Sequence, residues 1–585
     1  MSDSSLGRVS FIVLRHMRMP IVVFVCVYAI CIIGMVLAPG LPDADGQTTY
    51  MSFFHAYYFL AYTATTTGFG ELPTPFSNAQ RVWAVVCLYT SVITWLYVVG
   101  KIISLLRNPH LQLAFAEESF IRSVARKTND YYLVCGFGDT GSLLLRGLTD
   151  AGLSAVVIEL DDERMKALDL RDYPTRVLGL CADASEPRYL IAAGIESDKC
   201  IGVLILSNNE EANLKVAVSA RILRPDLKVI CRSTSVENES EILGLGGDIH
   251  VVDPFRVFAS YMAMLIYNPT IQTLNEWLSG APGARLDRNI CPLKGGKWIL
   301  CGHGRMGSVV YQKLSKKGID ITAVDPLVET IEGISEHAVL GRANMANLKK
   351  AGLEECVGLI AGTDNDTFNL SMIQQVGRFS PSLFTIVRQN KHSNEVLFKR
   401  TTVDFILQPS LVIARMVLFM LTAPLLRQFF KHLLGLYENS PTELADLTNR
   451  LALNIGGDAP VLKTYTLNPQ QAPAVCLALA QQGSVSLALA QQGSVSLADI
   501  YRAPHARDQF LNVVPMVHRR GEEVTVLPPN ELLLEVGDEV LFCIKPAVKI
   551  LLEANLANEH TLGYLLTGVE PARSHFFRWW QTRSG

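Results

Sequence analysis

The sequence predicts a mixed fold: an α-helical two-span membrane part, then two Rossmann-like α/β units with parallel sheets and crossover helices, then a small α+β C-terminal subdomain. Three observations carry this. Two uncharged apolar runs lie within the first 106 residues, an apolar strand running into G-x-G-x-x-G occurs twice, and each copy is followed by a matching acid. The chain has 585 residues, room for three or four domains with cores of their own. A net charge of -3 provides no basic field for nucleic acid. Mean hydropathy is +0.24 with 18% charged residues, high for a soluble protein, and most of that excess sits in the first 106 residues. Twelve cysteines form no C-x-x-C pair, so they read as small buried apolar residues in a reducing compartment, not as metal or disulfide frameworks.

The run from Pro20 to Pro42 is uncharged, and its core is long enough to cross about 30 Å of hydrocarbon. A second uncharged run covers Val82–Gly100. A cleaved signal peptide is the alternative for the first run, but the run is long, lacks a small-residue cleavage site and precedes a second span. Arg8, Arg15 and Arg18 precede the first span, and Lys101 and Arg107 follow the second, which predicts cytoplasmic termini. Neither span carries an arginine ladder, so no voltage sensor is expected.

Between the spans, residues 52–64 form an aromatic-rich stretch too short to cross, the profile of a re-entrant helix. It runs into Thr63-Ala64-Thr65-Thr66-Thr67-Gly68-Phe69-Gly70-Glu71. This resembles the potassium-channel signature T-A-T-T-V-G-Y-G-D at six of nine positions, with Thr67, Phe69 and Glu71 as related substitutions. The resemblance implies a selectivity filter built from Thr66, Thr67, Gly68, Phe69 and Gly70. In such a filter carbonyl oxygens from four chains replace the water around K⁺. Phe69 lacks the hydroxyl of the usual Tyr, and Tyr57, Tyr58 and Phe59 are placed to form a packed cuff instead. A less selective monovalent cation channel of the same architecture is the milder form of this expectation. Thr90-Ser91 stands about where relatives carry a hinge glycine, and Gly100 is the next flexible point.

The duplication sets the rest of the architecture. Tyr131–Ser142 parallels Trp298–Ser308, and in each copy an acid, Glu159 or Asp325, stands 23 residues after the first glycine at the end of an apolar strand. Glycines let phosphates approach backbone N–H groups at a helix N-terminus, and the acid accepts hydrogen bonds from ribose hydroxyls while repelling a 2′-phosphate. NAD or an ADP/AMP-type nucleotide is therefore expected over NADP. The candidate binding residues are Gly136, Phe137, Gly138, Asp139, Thr140, Gly141, Glu159 and Leu160 in the first copy, and Gly302, Gly304, Arg305, Gly307 and Asp325 in the second.

A pore followed by such units resembles the prokaryotic potassium channels with RCK domains, related to Trk- and Ktr-type regulatory subunits, over about residues 50–555. The resemblance implies a homotetramer with eight regulatory units, gated by ligands at the cytoplasmic face. It also adds Asp183, Ala184 and Arg232 to the first site. The second copy has Arg342-Ala343-Asn344 at the corresponding turn and keeps Arg388, which ranks it below the first. Carboxylates that bind calcium in some relatives correspond to Asn209, Arg232 and Thr234, so no metal site is assigned, although a divalent ligand stays open. Asp139, Glu210 and Glu211 read as a solvated acidic edge, and His303 as a pocket-lining residue. The apolar runs Phe255–Tyr267 and Leu411–Leu426 read as crossover helices that pair with a neighbour, not as further spans.

The expected bounds are 1–106 for the membrane domain (first span 19–38, re-entrant helix 52–64, filter 66–71, second span 81–106) and 107–129 for a linker. The first unit covers 130–290, the second 291–440, the C-terminal subdomain 441–560 and the tail 561–585. A ten-residue segment, Leu477–Ser486, recurs as Leu487–Ser496, and an aromatic tail surrounds Trp579-Trp580; neither receives a function. The competing enzyme reading is a membrane-tethered NAD-dependent oxidoreductase, since a Rossmann unit would serve one. Residues 441–555 offer that reading no recognisable proton-transfer group. A regulatory subunit of a separate transporter conflicts with a filter in the same chain.

Overall fold

The computed structural model describes residues 3–42, 45, 47–71, 75–267, 269–279, 285–286, 295–327, 338–480 and 494–568. The aromatic tail and most of the ten-residue repeat lie outside them. The chain divides into two compact units: residues 1–128 with the short segments 178–180 and 188–197, and the remainder.

In the membrane unit an outer helix (Asp3–Leu37), a short helix (Phe53–Ala64) and an inner helix (Asn78–Leu106) follow the expected order. Two stretches, Val13–Leu37 and Asn78–Leu106, are long and apolar enough to cross a membrane. Ser52 caps the short helix, and Ser77 and Gln80 form a capping box that fixes the start of the inner one. The helices meet through small residues and one large one. A methyl on Gly34 would lie 2.2 Å from Trp83, whose indole N–H donates to the carbonyl of Cys31 at 3.0 Å. Cys31, Ile32, Met35, Ala56, Leu60 and Cys87 form a small core there. Val25, Ile33, Val82, Val85 and Ile93 remain exposed, as a surface facing lipid or further chains requires. The expected linker is a helix over most of its length, Pro109–Ala125. Its proline is acceptable at the first turn, where the missing N–H costs nothing.

From residue 129 on, the chain forms two lobes of one design. The first has strands β1 (Tyr131–Cys135), β2 (Ser154–Glu159), β3 (Leu178–Cys181), β4 (Cys200–Ile205), β5 (Lys228–Arg232) and β6 (Ile249–Val252), in the order β3-β2-β1-β4-β5-β6. The second has β7 (Lys297–Cys301), β8 (Ile321–Asp325), β9 (Ala338–Leu340), β10 (Cys356–Ala361), β11 (Phe384–Arg388) and β12 (Phe405–Leu407), in the order β9-β8-β7-β10-β11-β12. This is the doubly wound arrangement, whose crevice opens where the order reverses, at β1 and β7.

The lobes exchange helices. Pro254–Tyr267, which follows the first lobe's last strand, packs on Arg305–Lys316, the motif helix of the second lobe. Phe258, Ala259 and Met262 join the core of Trp298, Val310 and Leu314. Reciprocally, Pro409–Thr422 packs on Asp139–Asp150, with Ile413, Ala414 and Val417 against Leu144, Leu145 and Leu148. The charge that interrupts this second apolar run is accommodated. Burial pulls the Arg415 guanidinium below its usual range, and Tyr261 and Glu276, themselves hydrogen-bonded at 2.6 Å, oppose that pull. The pair Pro409–Thr422 and Leu426–Tyr437 is apolar enough to be mistaken for a span, but it is bent by 113° and its Val417, Phe429 and Leu433 are fully buried. The C-terminal subdomain is an antiparallel sheet of β13 (Val461–Thr466), β14 (Val513–Arg520), β15 (Glu523–Val526) and β16 (Glu539–Ile544), in the order β13-β16-β14-β15.

Candidate functional site

The filter-like segment has an unusual backbone. Thr66, Gly68 and Gly70 have φ of 59°, 65° and 70°, while Thr67 and Phe69 between them do not enter that region. Glycine accepts this freely, but a β-branched Thr does so at a cost of about 1–3 kcal/mol. A chain whose hand alternates at every second residue turns successive carbonyls to one side instead of alternating them. The N–H groups of Thr67 and Gly68 both donate to the carbonyl of Tyr62, at 3.0 and 3.3 Å. At the other end the Tyr58 hydroxyl donates to the Glu71 carboxylate at 3.2 Å, and the Tyr62 hydroxyl to the Glu71 carbonyl at 3.3 Å. The ring of Phe69 meets Tyr62 edge-on at 6.4 Å. The cuff expected from Tyr57, Tyr58 and Phe59 is thus made by Tyr58 and Tyr62, with Phe59 packed behind Tyr62 and Tyr57 half exposed. Tyr62 lies one turn after Tyr58, a spacing that was available as a signal.

In the first lobe, Gly136 (φ 104°) turns β1 into its helix, and a methyl on Gly141 would lie 2.2 Å from the Gly136 carbonyl oxygen. Buried Glu159 closes this turn: its carboxylate accepts from the Phe137 N–H, and from the Asp161 N–H at 3.0 Å. Asp183 holds its own turn by accepting from the Ser185 N–H at 2.9 Å. A cavity of about 1130 Å³ is lined by Gly136, Phe137, Gly138, Asp139, Thr140, Glu159, Leu160, Asp183 and Ala184, so nine of the expected residues converge. Gly141 and Arg232 do not line it. Gly141 serves packing, and the Arg232 guanidinium braces the cavity wall from behind by donating to the Ser207 carbonyl at 3.1 Å and to the Asn208 side chain. Burial draws the Arg232 pKa down, and its Nε has no protein partner.

The second lobe repeats this frame with different contents. A methyl on Gly307 would lie 2.0 Å from the Gly302 carbonyl, and Asp325 accepts from the N–H groups of His303 and Leu327 at 2.7 and 2.9 Å. Its cavity, about 550 Å³, is lined by Gly302, Gly304, Arg305, Gly307 and Asp325 together with His303, Arg342 and Arg388. His303 is 5% exposed, and neither ring nitrogen has a hydrogen-bond partner. Burial lowers its pKa, so the imidazole is neutral at pH 7. Both cavities suit a nucleotide: the second glycine of each motif leaves open space, since a methyl on Gly138 would come no nearer than 3.5 Å to another atom and one on Gly304 would meet nothing.

Glu210 is not the solvated acid the sequence suggests. It accepts from the Ser233 hydroxyl and from the Thr234 N–H and hydroxyl, all at 2.8 Å. Burial works to raise its pKa, but these bonds outweigh it and hold the carboxyl below its ordinary value. Asp366 does the same in the second lobe, accepting from the N–H groups of Asn390 and Lys391 at 2.6 and 3.0 Å. Glu211 pairs with Lys215 at 2.8 Å. Among the described residues, no group of three or more His, Cys, Asp or Glu is placed to hold a metal ion.

A family model described as ion channel matches residues 19–108, and one described as TrkA-N domain matches twice, over 132–253 and 298–409. The chain is a homologue of prokaryotic potassium channels that joins an ion channel domain to two TrkA-N domains. The TrkA-N matches end at Asp253 and Pro409, where the crossover helices begin. Potassium channel protein 1 of Methanocaldococcus jannaschii is 23% identical over 219 residues, which is 37% of this chain and 64% of that one. The voltage-gated potassium channel Kch of Escherichia coli K12 is 24% identical over 220 residues, 37% of this chain and 50% of that one. The chain thus spans less than two thirds of the length of these curated relatives. Among solved structures, the GsuK channel bound to NAD is 14% identical, with 94% of this chain and 100% of that one covered and a TM-score of 0.42.

Proposed function

We propose that this protein is a potassium channel whose conduction is controlled by adenine nucleotides at its TrkA-N domains. One observation carries the reading: between two membrane-spanning helices, the backbone alternates in hand at Thr66, Gly68 and Gly70, the conformation that presents successive carbonyl oxygens to one axis. Such oxygens enclose an ion only when several copies surround the axis. The chain therefore works as a homotetramer with eight TrkA-N domains. Arg15 and Arg18 near the start of the first apolar stretch, and Lys101 and Arg107 at the end of the second, favour a cytoplasmic location for both termini and for the TrkA-N domains. The relatives named as potassium channels support the choice of ion.

The nucleotide would be held by Gly136, Phe137, Gly138, Asp139, Thr140, Glu159, Leu160, Asp183 and Ala184, with Gly141 and Arg232 supporting them. Each oxygen of the Glu159 carboxylate accepts a backbone N–H, at Phe137 and Asp161, and keeps a lone pair for ribose hydroxyls. A nucleotide shifts the closed–open balance only by binding one state more tightly than the other. No hydride transfer is needed for this, and no NADH turnover is expected. The test is ⁸⁶Rb⁺ uptake into liposomes holding the purified protein. Uptake suppressed by external K⁺ but not by Na⁺ is expected; equal suppression by both would remove the potassium reading.

A further inference from the structure

The filter-like segment is tied to its short helix at both ends. At the outer end Glu71 accepts from the Tyr58 and Tyr62 hydroxyls. At the inner end the ties belong to Thr67. Its N–H donates to the Tyr62 carbonyl at 3.0 Å, and its hydroxyl lies 2.9 Å from the Thr65 hydroxyl. Thr65 caps the short helix, and its own hydroxyl donates to the Ala61 carbonyl at 2.8 Å. A hydroxyl has one proton, so with that of Thr65 given to Ala61 the Thr67 hydroxyl is the donor between the two threonines. The result is a relay of two bonds, from Thr67 through Thr65 to a backbone carbonyl of the helix.

Thr67 stands where the potassium-channel signature has Val, and Phe69 where it has Tyr. Valine has nearly the shape of threonine but can only pack. Phe69 gives the middle of the segment a ring contact with Tyr62 and brings no hydroxyl. Relative to the signature, the segment has thus lost one hydroxyl and gained another two residues earlier. Thr66, with a φ of 59°, lies between the two bonded threonines, so the pair spans the most strained turn of the segment.

We propose that the hydroxyl bond between Thr67 and Thr65 is a tether that determines ion specificity, with Thr67 and Thr65 as positioning residues. This rests on the reading of the chain as a potassium channel. Along a backbone whose carbonyls turn to one side, the side chains turn to the other. Thr67 therefore reaches back to the helix while its carbonyl is presented to the ion. Na⁺ is smaller than K⁺ and is held well only where the oxygens close in on it. The tether resists that inward movement and keeps Thr66 in its left-handed turn. K⁺ then meets oxygens at its own spacing, and Na⁺ does not.

Bi-ionic reversal potentials test this on the purified full-length protein, with K⁺ on one side of a planar bilayer and Na⁺ on the other. Thr67→Val supplies the residue of the signature and removes the hydroxyl. It should raise the Na⁺-to-K⁺ permeability ratio about fivefold, the loss of one net hydrogen bond. Thr67→Ser keeps the hydroxyl and should restore most of the discrimination that Thr67→Val loses. Thr65→Val should match Thr67→Val, and the double variant should be no looser than either alone, because both remove the same bond. Loss of current in Thr67→Val counts for the tether if Thr67→Ser conducts, and against it if Thr67→Ser is silent too. An unchanged ratio in Thr67→Val, a Thr67→Ser as loose as Thr67→Val, or additive effects of the two valines would overturn the tether alone. A parent with no preference for K⁺ over Na⁺ would overturn it together with the potassium reading beneath it.

Discussion

The two TrkA-N domains show how duplication preserves a frame while its contents diverge. Everything that shapes the phosphate turn is common to both: a first glycine in the left-handed region, a third glycine against its carbonyl, and a carboxylate that accepts the next backbone N–H. Among the described residues, what lines the two cavities differs at several equivalent places. Phe137 stands against His303, Asp183 against the Arg342-Ala343-Asn344 turn, and Ser410 against Phe255. The lesson is that backbone geometry tolerates few residues, whereas a lining residue answers only to the ligand.

The harshest test of the common frame is to fill its third glycine. In Gly141→Ala the added methyl would lie 2.2 Å from a backbone carbonyl oxygen, and in Gly307→Ala 2.0 Å, so the turn must deform. Each variant should abolish nucleotide binding in its own lobe and spare the other, measured as bound nucleotide per chain. Loss in both lobes from one substitution would show that the domains do not act separately.

A smaller effect sharpens the same comparison. Glu210 and Asp366 both hold the loop after the fifth strand of their lobe and both have lowered pKa values. Their bonds therefore contribute fully above the unfolded pKa of an ordinary carboxylate, near 4, and are lost as pH falls through the lower folded value. Glu210→Gln and Asp366→Asn should each cost about 1–2 kcal/mol of local stability at pH 7, and progressively less as pH falls below the ordinary carboxylate range. Hydrogen exchange at the Thr234 and Asn390 amides reads this directly. A cost that does not diminish at all as pH falls would mean that shape, not charge, is what those side chains supply.

Much of this was legible in the sequence because it is local. The filter motif, the two glycine turns and the acids 23 residues on each depend on neighbours in one strand–turn–helix unit. The exchange of crossover helices was not legible: the apolar pattern of Phe255–Tyr267 announces a buried helix but not the surface that buries it. Arg232 illustrates a finer limit. Its place at the end of β5 was readable, but not that its side chain braces Ser207 and Asn208 from behind the cavity. Residues 107–129 read as a linker because they show no core pattern of their own, yet a helix forms over Pro109–Ala125.

The central claim is that nucleotide in the first TrkA-N domain controls the pore. Single-channel recording in excised patches, with NAD titrated at the cytoplasmic face of the parent and of Glu159→Ala, tests it most directly. Glu159→Ala removes a buried acceptor of two backbone N–H groups and of the ribose, a loss of about 2 kcal/mol, so the NAD dose-response should move about 30-fold to higher concentration. Conductance and ion selectivity should be unchanged, because the filter is untouched. An open probability that ignores NAD, or a Glu159→Ala response superimposable on that of the parent, would contradict the account.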